Sequence, residues 1–380
     1  MEAIAEKYKN MIWPKQTPPS IPTKSASPGE PPLMKKNRDL PPDVTSRSVS
    51  SYTLDPVVDT STNSKLVTKS SRRPRTAPET QATPTTQTTQ KTTQTAMKNT
   101  NSSRSGSATR SNANDILAIT KSETVSSIGK REYMEDVILC PKDLINGRFQ
   151  AAFVFDGHSG GHASNYLHTN LMKLLPQFFT FGIPSTAIPN TITTILSKLG
   201  TEFKKRKKTD GSTISGVLVD IIENTIYIVN IGDSVTMVYG IQGKIIFISK
   251  RDSTDNAAER QRLAALGIEV EKDANSMWRM YGLNMSKAFG DYHTGPLEDA
   301  LNKSGRKVHV ETLPMPKGLQ NLNIIIASDG LFDEIQPEHL AQVPIIRKLK
   351  LDELMRFVLD HGFKGDNFSA IRLQVSRQRK

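Results

Sequence analysis

The 380-residue chain has a single cysteine, Cys140. One thiol rules out an intrachain disulfide framework, and no cysteine cluster of the structural-zinc type is present. That usage fits a reducing compartment. No stretch approaches the ~20 apolar residues needed to cross a bilayer. The opening Met1-Glu2-Ala3-Ile4-Ala5-Glu6-Lys7 lacks the long apolar core of a secretion signal. These absences predict a soluble, intracellular protein, cytoplasmic or nuclear, without a membrane span. Glycine is also scarce where proline is abundant: the first 113 residues hold 2 of the 23 glycines and 13 of the 22 prolines.

The same 113 residues carry 17 Lys and Arg against 8 Asp and Glu, a net of +9 out of the chain's formal +12. The remaining 267 carry 33 against 30, so the basic character belongs to the N-terminal segment. The run Thr83-Pro84-Thr85-Thr86-Gln87-Thr88-Thr89-Gln90 is low in complexity. Such sequence buries too little apolar surface to offset ordering entropy. The expected division is a disordered basic Ser/Thr/Pro-rich tail over 1–113 and a folded domain over 114–380. A solvated linker is the preferred reading of the tail, ahead of contact with nucleic acid or an acidic partner.

Beyond Asn114 apolar, β-branched runs read as strands at Ala151–Phe155, Val217–Ile222, Thr225–Ile231, Lys244–Ile248, Asn323–Ala327 and Phe368–Val375. Helical periodicity covers 161–178, 190–205, 256–266, 337–340 and 351–359. Runs apolar on both parities, such as Ile324-Ile325-Ile326-Ala327, point to strands covered on both faces. Glu223-Asn224 and Gln242-Gly243 serve as hairpin turns. The fold class is therefore α+β, mostly antiparallel sheets with helices packed outside.

Carboxylates fall at the strand ends. Glu135-Asp136 precedes Val137–Leu139, Asp156 follows Ala151–Phe155, and Asp233 follows Thr225–Ile231. Asp329 follows Asn323–Ala327, and Asp366 precedes Phe368–Val375. Each Asp-Gly or Gly-Asp pair alone is ordinary turn chemistry. As a set, converging carboxylates repel unless cations neutralise them. Oxygen-only ligands suit Mg²⁺ or Mn²⁺. Residue chemistry thus points to a two-metal site acting on phosphate esters and leaves nuclease, phosphatase and kinase-like chemistry open.

Seven motifs in order resemble those of the protein phosphatase 2C family. They are Arg131-Glu132-Tyr133-Met134-Glu135-Asp136, Phe155-Asp156-Gly157-His158-Ser159-Gly160 and Asp210-Gly211-Ser212-Thr213. Asn230-Ile231-Gly232-Asp233-Ser234, Ser286-Lys287-Ala288-Phe289-Gly290-Asp291, Ala327-Ser328-Asp329-Gly330-Leu331-Phe332-Asp333 and Asp366-Asn367 complete the set. The resemblance spans about 250 residues and leaves out the tail. It implies a central antiparallel β-sandwich flanked by α-helices, in α-β-β-α layers. It implies two Mn²⁺ or Mg²⁺ ions and room for a third. Asp156 would bridge the pair; Asp329 and Asp366 would serve one ion, Glu135 and the Gly157 carbonyl the other. Asp233 would lie by the third. Asp136 would orient water and Arg131 would bind phosphate. His158 would be the general acid for hydrolysis of phosphoserine and phosphothreonine in phosphorylated proteins by a metal-activated hydroxide. A monomer is expected.

The chain departs from the family's motifs at Ser253 (usually His), Lys287 (usually Arg) and Val235 (usually Arg), while every expected metal ligand is present. Two alternatives stay open: a weakly active or inactive domain that binds phosphoproteins, and a scaffold or nucleic-acid tether driven by the tail.

Overall fold

The computed structural model describes residues 115–379 except 142, 293, 294, 363 and 364. The expected tail over 1–113 lies outside the described residues. In chain order the strands begin β1 (Asp115–Ser127), β2 (Val137–Leu139), β3 (Phe149–Phe155) and the short β4 (Gly157–His158). Helices α1 (His162–Phe178) and α2 (Ile188–Lys204) follow. Then come β5 (Gly211–Ser212), β6 (Ile214–Asp220), β7 (Thr225–Ile231), β8 (Val235–Gly240), β9 (Ile245–Ile248) and α3 (Ala257–Ala265). The short β10 (Glu271–Lys272), β11 (Trp278–Arg279) and β12 (Phe289–Gly290) lead to α4 (Pro296–Ser304). The chain closes with β13 (His309–Pro314), β14 (Asn321–Ala327), α5 (Asp329–Phe332), α6 (Pro337–Gln342), α7 (Pro344–Lys348), α8 (Leu351–His361) and β15 (Phe368–Arg379).

Two five-stranded antiparallel sheets form the centre, one ordered β1-β15-β14-β8-β9 and the other β13-β7-β6-β3-β2. Strand parity explains the layers. Ala152 and Val154, Val217 and Val219, and Ile226 and Ile228 meet Ile324, Ile326, Ile371 and Leu373 between the sheets. The opposite parity of the second sheet, including Phe153, Phe155, Leu218 and Val229, packs on α1 and α2 through Leu167, Leu171, Ile195 and Leu199. On the outer face of the first sheet, Met237, Tyr239, Ile325 and Ala370 meet Leu331, Leu340, Leu354 and Phe357 of the C-terminal helices. The result is the expected four-layer α-β-β-α sandwich, and the doubly apolar strands are covered on both sides. No helix among the described residues is long and apolar enough to cross a membrane.

Besides the two-residue strands, three longer ones escape the periodicity reading. β1 is an edge strand with a solvent-facing, polar outer half, and β13 is a polar edge on β7. β8 starts directly after Gly232-Asp233-Ser234 with no separate turn signal. The strand expected to reach Ile222 stops at Asp220. The Asp220 carboxylate accepts from the backbone N–H groups of Ile222 and Glu223 at 3.1 and 3.2 Å and turns the chain. It also pairs with Arg148, buried alongside it, at 2.6 Å. The same guanidinium donates to the carbonyls of Phe181 and Ile183, both at 2.8 Å, and so ties the link between α1 and α2 to the sheet. Removing one partner of a buried pair strands the other charge. Asp220→Ala is expected to cost about 3–5 kcal/mol, read as a lower urea midpoint, and a loss under 1 kcal/mol would contradict this.

Candidate active site

Antiparallel pairing brings the acidic strand ends together. β3 and β7 both pair antiparallel to β6, so they run the same way and finish at one end of their sheet. β14 runs against β8 and β15, so its last residue lies beside the first residues of both. The tight connection Gly232-Asp233-Ser234 joins β7 of one sheet to β8 of the other, which places the two ends side by side. Asp156, Asp233, Asp329 and Asp366 sit at those ends. Carboxylate oxygens of Asp156, Asp233 and Asp329 lie within 4.8 Å of one another.

Glycine makes the approach possible at two points. Gly232 has φ 95°, and a Cβ there would meet Thr213 Cγ2 at 2.7 Å. Gly157 carries its neighbour Asp156 against the Arg131–Asp136 segment, where a Cβ would meet the Glu135 carbonyl at 2.4 Å. That segment is pinned from below by Asn367. Its side-chain oxygen accepts from Glu135 N–H at 2.9 Å, and its amide donates to the carbonyls of Ile128 and Tyr133 at 2.9 and 3.0 Å. The Asp210 carboxylate accepts from Ala163 N–H at 2.7 Å in the first turn of α1, where negative charge is favoured.

The expected residues do not all occupy one shell. Asp366 stands beside the three-carboxylate cluster, with its Oδ2 taken by Arg131 Nη2 at 2.5 Å. Glu135 Oε1 accepts from Gly160 N–H at 2.6 Å. Asp136 is buried, and neither of its carboxylate oxygens has a hydrogen-bond partner; the same holds for Asp233. The Ser328 and Ser369 hydroxyls lie near enough to favour the charged form of Asp136 without bonding it. His158 Nε2 contacts both oxygens of Asp291 at 2.9 Å.

Electrostatically the cluster is overloaded. Burial, followed by the charges of neighbouring aspartates, raises Asp156 well above the ordinary carboxylate range, and Asp329 likewise. Burial pushes Asp136 and Asp233 up to about 6. Arg251, bonded to Asp333 at 2.6 Å, relieves part of the strain on Asp233. The buried carboxylates of Asp136 and Asp233 have no donors, Asp233 shares a cluster with Asp156 and Asp329, and no histidine or cysteine joins that cluster among the described residues; such a donor set fits a hard divalent cation. A cation inverts the electrostatic penalty by favouring the ionised carboxylates.

Sequence reasoning gave no role to Asp291, Arg251, Asn367 or Asn284, whose amide donates to Asp329 Oδ2 at 3.4 Å. Asp291 and Asn367 lie inside motifs already quoted, but a motif does not reveal which neighbour a side chain meets. The departures from the family pattern have local solutions. Lys287 Nζ reaches the buried Asp252 carboxylate at 3.0 Å and lies 3.0 Å from His309 Nε2. Ser253 Oγ accepts from Asp255 N–H at 3.2 Å and shapes the turn before α3.

The chain is an α+β sandwich with a buried carboxylate cluster at one end. Residues 122–364 match the protein phosphatase 2C family profile, and the chain belongs to that family. A probable protein phosphatase 2C 55 of Oryza sativa is 32% identical over 259 residues, 65% of this chain and 63% of the relative. A probable mitochondrial protein phosphatase 2C member 13 of the same species is 30% identical, covering 65% and 66%. The chain thus spans less than two thirds of the length of these relatives. In fold it is similar to a phosphatase from Toxoplasma gondii (TM-score 0.54, 18% identity, 70% of this chain and 96% of that one). It is likewise similar to a sex-determining protein of C. elegans (TM-score 0.53, 19% identity, 67% and 64%).

Two predictions follow from the electrostatics. Asp156→Asn removes one repelling charge and a proposed ligand together. It is expected to raise the melting temperature of chelator-treated protein by about 3–6 °C, for 1–2 kcal/mol. It should also abolish the rise that Mn²⁺ gives the wild type, about 2.7 kcal/mol at a hundredfold excess over Kd. Scanning fluorimetry with and without Mn²⁺ checks both; a variant that still responds to Mn²⁺ refutes the assignment. Glu259, on α3, is buried, which works to raise its pKa, but hydrogen bonds from Arg262 and Ser286 outweigh this and hold it at about 2 instead of 4.5. A depressed carboxylate stabilises the fold above its unfolded value and loses that contribution as pH falls through the folded one. Between pH 4.5 and about 2, roughly 3 kcal/mol should disappear. Glu259→Gln should flatten that limb of the stability–pH curve, measured by urea unfolding.

Proposed function

We propose that this chain is a metal-dependent serine/threonine protein phosphatase that hydrolyses phosphoserine and phosphothreonine in phosphorylated proteins. The observation that carries the proposal is the cluster of Asp156, Asp233 and Asp329 within 4.8 Å, flanked by the donor-free carboxylate of Asp136, in a protein phosphatase 2C chain. A pair of Mg²⁺ or Mn²⁺ ions bound there would neutralise the carboxylates, grip the phosphate oxygens and acidify water. Glu135 and the Gly157 carbonyl would hold one ion, Asp329 and Asp366 the other, with Asp156 contributing to both, and Asp233 would serve a third.

Every remaining task falls to the chain's own groups. Asp136 accepts hydrogen bonds from water and orients it at the cluster. Arg131, its side chain 57% exposed, offers a planar fork to the phosphate and exchanges its contact with Asp366 for the substrate. His158 delivers a proton to the departing serine or threonine oxygen. The protein acts as a monomer inside the cell, in the cytoplasm or the nucleus.

The test is Mn²⁺-dependent release of phosphate from a phosphothreonine peptide. Asp329→Ala is expected to lower kcat by on the order of 10³-fold, the scale of losing a transition-state charge contact. Wild-type turnover in that variant would overturn the assignment. Arg131→Ala should raise KM about tenfold or more, since a charge-assisted hydrogen bond contributes ~1.5–3 kcal/mol.

A further inference from the structure

His158 is held from one side only. Its Nε2 lies 2.9 Å from both Oδ1 and Oδ2 of Asp291, whereas its Nδ1 is buried and has no hydrogen-bond partner among the described residues. Asp291 itself is 1% exposed and is the first residue after β12. Its φ is 53°, in the left-handed region that non-glycine residues seldom occupy. Three contacts maintain that backbone. Asp291 N–H donates to the Asp210 carbonyl at 3.0 Å, and the Arg306 guanidinium donates to the carbonyls of Gly290 and, at 3.5 Å, Asp291. Beneath the pair runs Gly211, where a Cβ would stand 2.2 Å from Asp291 Oδ2 and 2.3 Å from His158 Nε2. The glycine of the Asp210-Gly211-Ser212-Thr213 motif is therefore required by the His–Asp contact and not by a turn.

We propose that Asp291 is a positioning residue for His158, holding the ring through Nε2 so that Nδ1 is the nitrogen that gives its proton to the leaving oxygen. A carboxylate acceptor fixes the second proton on Nε2 and stabilises the imidazolium, so that Nδ1 carries the transferable proton. In the step, the oxygen of a water molecule forms the new bond to phosphorus and that water's proton passes to solvent. The bond from phosphorus to the serine or threonine oxygen breaks with its electron pair on that oxygen, which takes the Nδ1 proton. Solvent then returns a proton to the ring, and the net change is ester plus water to alcohol plus phosphate. This inference rests on the phosphatase reading above and on His158 as the proton donor.

The experiment compares two substrates in the full-length protein with saturating Mn²⁺. A phosphoserine peptide has a leaving group that needs a proton; p-nitrophenyl phosphate has one that leaves without help. Asp291→Asn is expected to lower kcat for the peptide by about 10²-fold, the lower end of a general acid's contribution. The p-nitrophenyl phosphate rate should change by less than about fivefold, with peptide KM unchanged. Gly211→Ala, which crowds the contact without touching either side chain's chemistry, should reproduce the split. A merely structural role predicts equal losses on both substrates, and that result, or no loss on either, overturns the inference. Long-range ¹H–¹⁵N spectra of the protein freed of divalent cations give an activity-independent reading: Nε2 of His158 should be protonated in the wild type. A neutral ring protonated only on Nδ1 would overturn it as well. If the wild type turns over neither substrate while its Nε2 is protonated, the phosphatase reading fails first, and the positioning role for catalysis falls with it.

Discussion

Carboxylates pressed together at the end of a β-sandwich repel, and backbone pairing leaves them nowhere to go. Asp156, Asp233 and Asp329 each follow a strand whose register is set by seven or so residues of ladder hydrogen bonds and by side chains buried on both faces. Releasing one carboxylate means shifting a strand, which would turn its apolar residues toward the wrong layer. Hydrophobic burial on the order of 1.5–3 kcal/mol per large side chain, repeated along each strand, outweighs the repulsion. Burial first, and neighbouring carboxylates after it, raise the pKa values of Asp136, Asp156, Asp233 and Asp329. Such perturbed groups are characteristic of functional sites.

The surroundings of the cluster are built to keep it rigid. Asn367 satisfies one N–H and two carbonyls of the loop that bears Arg131 and Glu135, so an irregular segment is held like a strand. Asp210 serves the start of α1, and Gly211 leaves room for the His158–Asp291 contact. Arg251, held by Asp333, sets a guanidinium near Asp233, and the Asp333 carboxylate offsets part of its effect. These contacts link residues far apart in the chain, so each loop at the site depends on the sandwich beneath it. Lys287 shows how the site tolerates change. A single ammonium cannot replace a guanidinium fork, yet with His309 beside it, it meets the buried Asp252 and leaves the acidic end of the sandwich untouched.

The core strands and helices were legible because their periodicity is a direct consequence of burial. Thr225–Ile231 and Phe368 onward read as strands, and 161–178 and 351–359 read as helices, because buried faces leave a repeating trace; the helices run His162–Phe178 and Leu351–His361. Edge strands leave less of one. β1 and β13 are polar along much of their length and gain their conformation from hydrogen bonds to β15 and β7. Among the site residues, the acidic strand ends were legible from turn chemistry and motif order. Their chemistry names a hard-cation donor set without needing coordinates.

By itself, then, the sequence determined the fold class, the layers of the core and the identity of the carboxylates, since all three follow from local periodicity and from which residue types can ionise. Tertiary structure alone decided which of those carboxylates share a shell. It drew Asp156, Asp233 and Asp329 together, gave Asp366 to Arg131, and set Asp291 against His158. A side chain's nearest neighbour depends on strand order, register and the angle at which loops leave the sheets. Those are global consequences of packing that no single segment encodes.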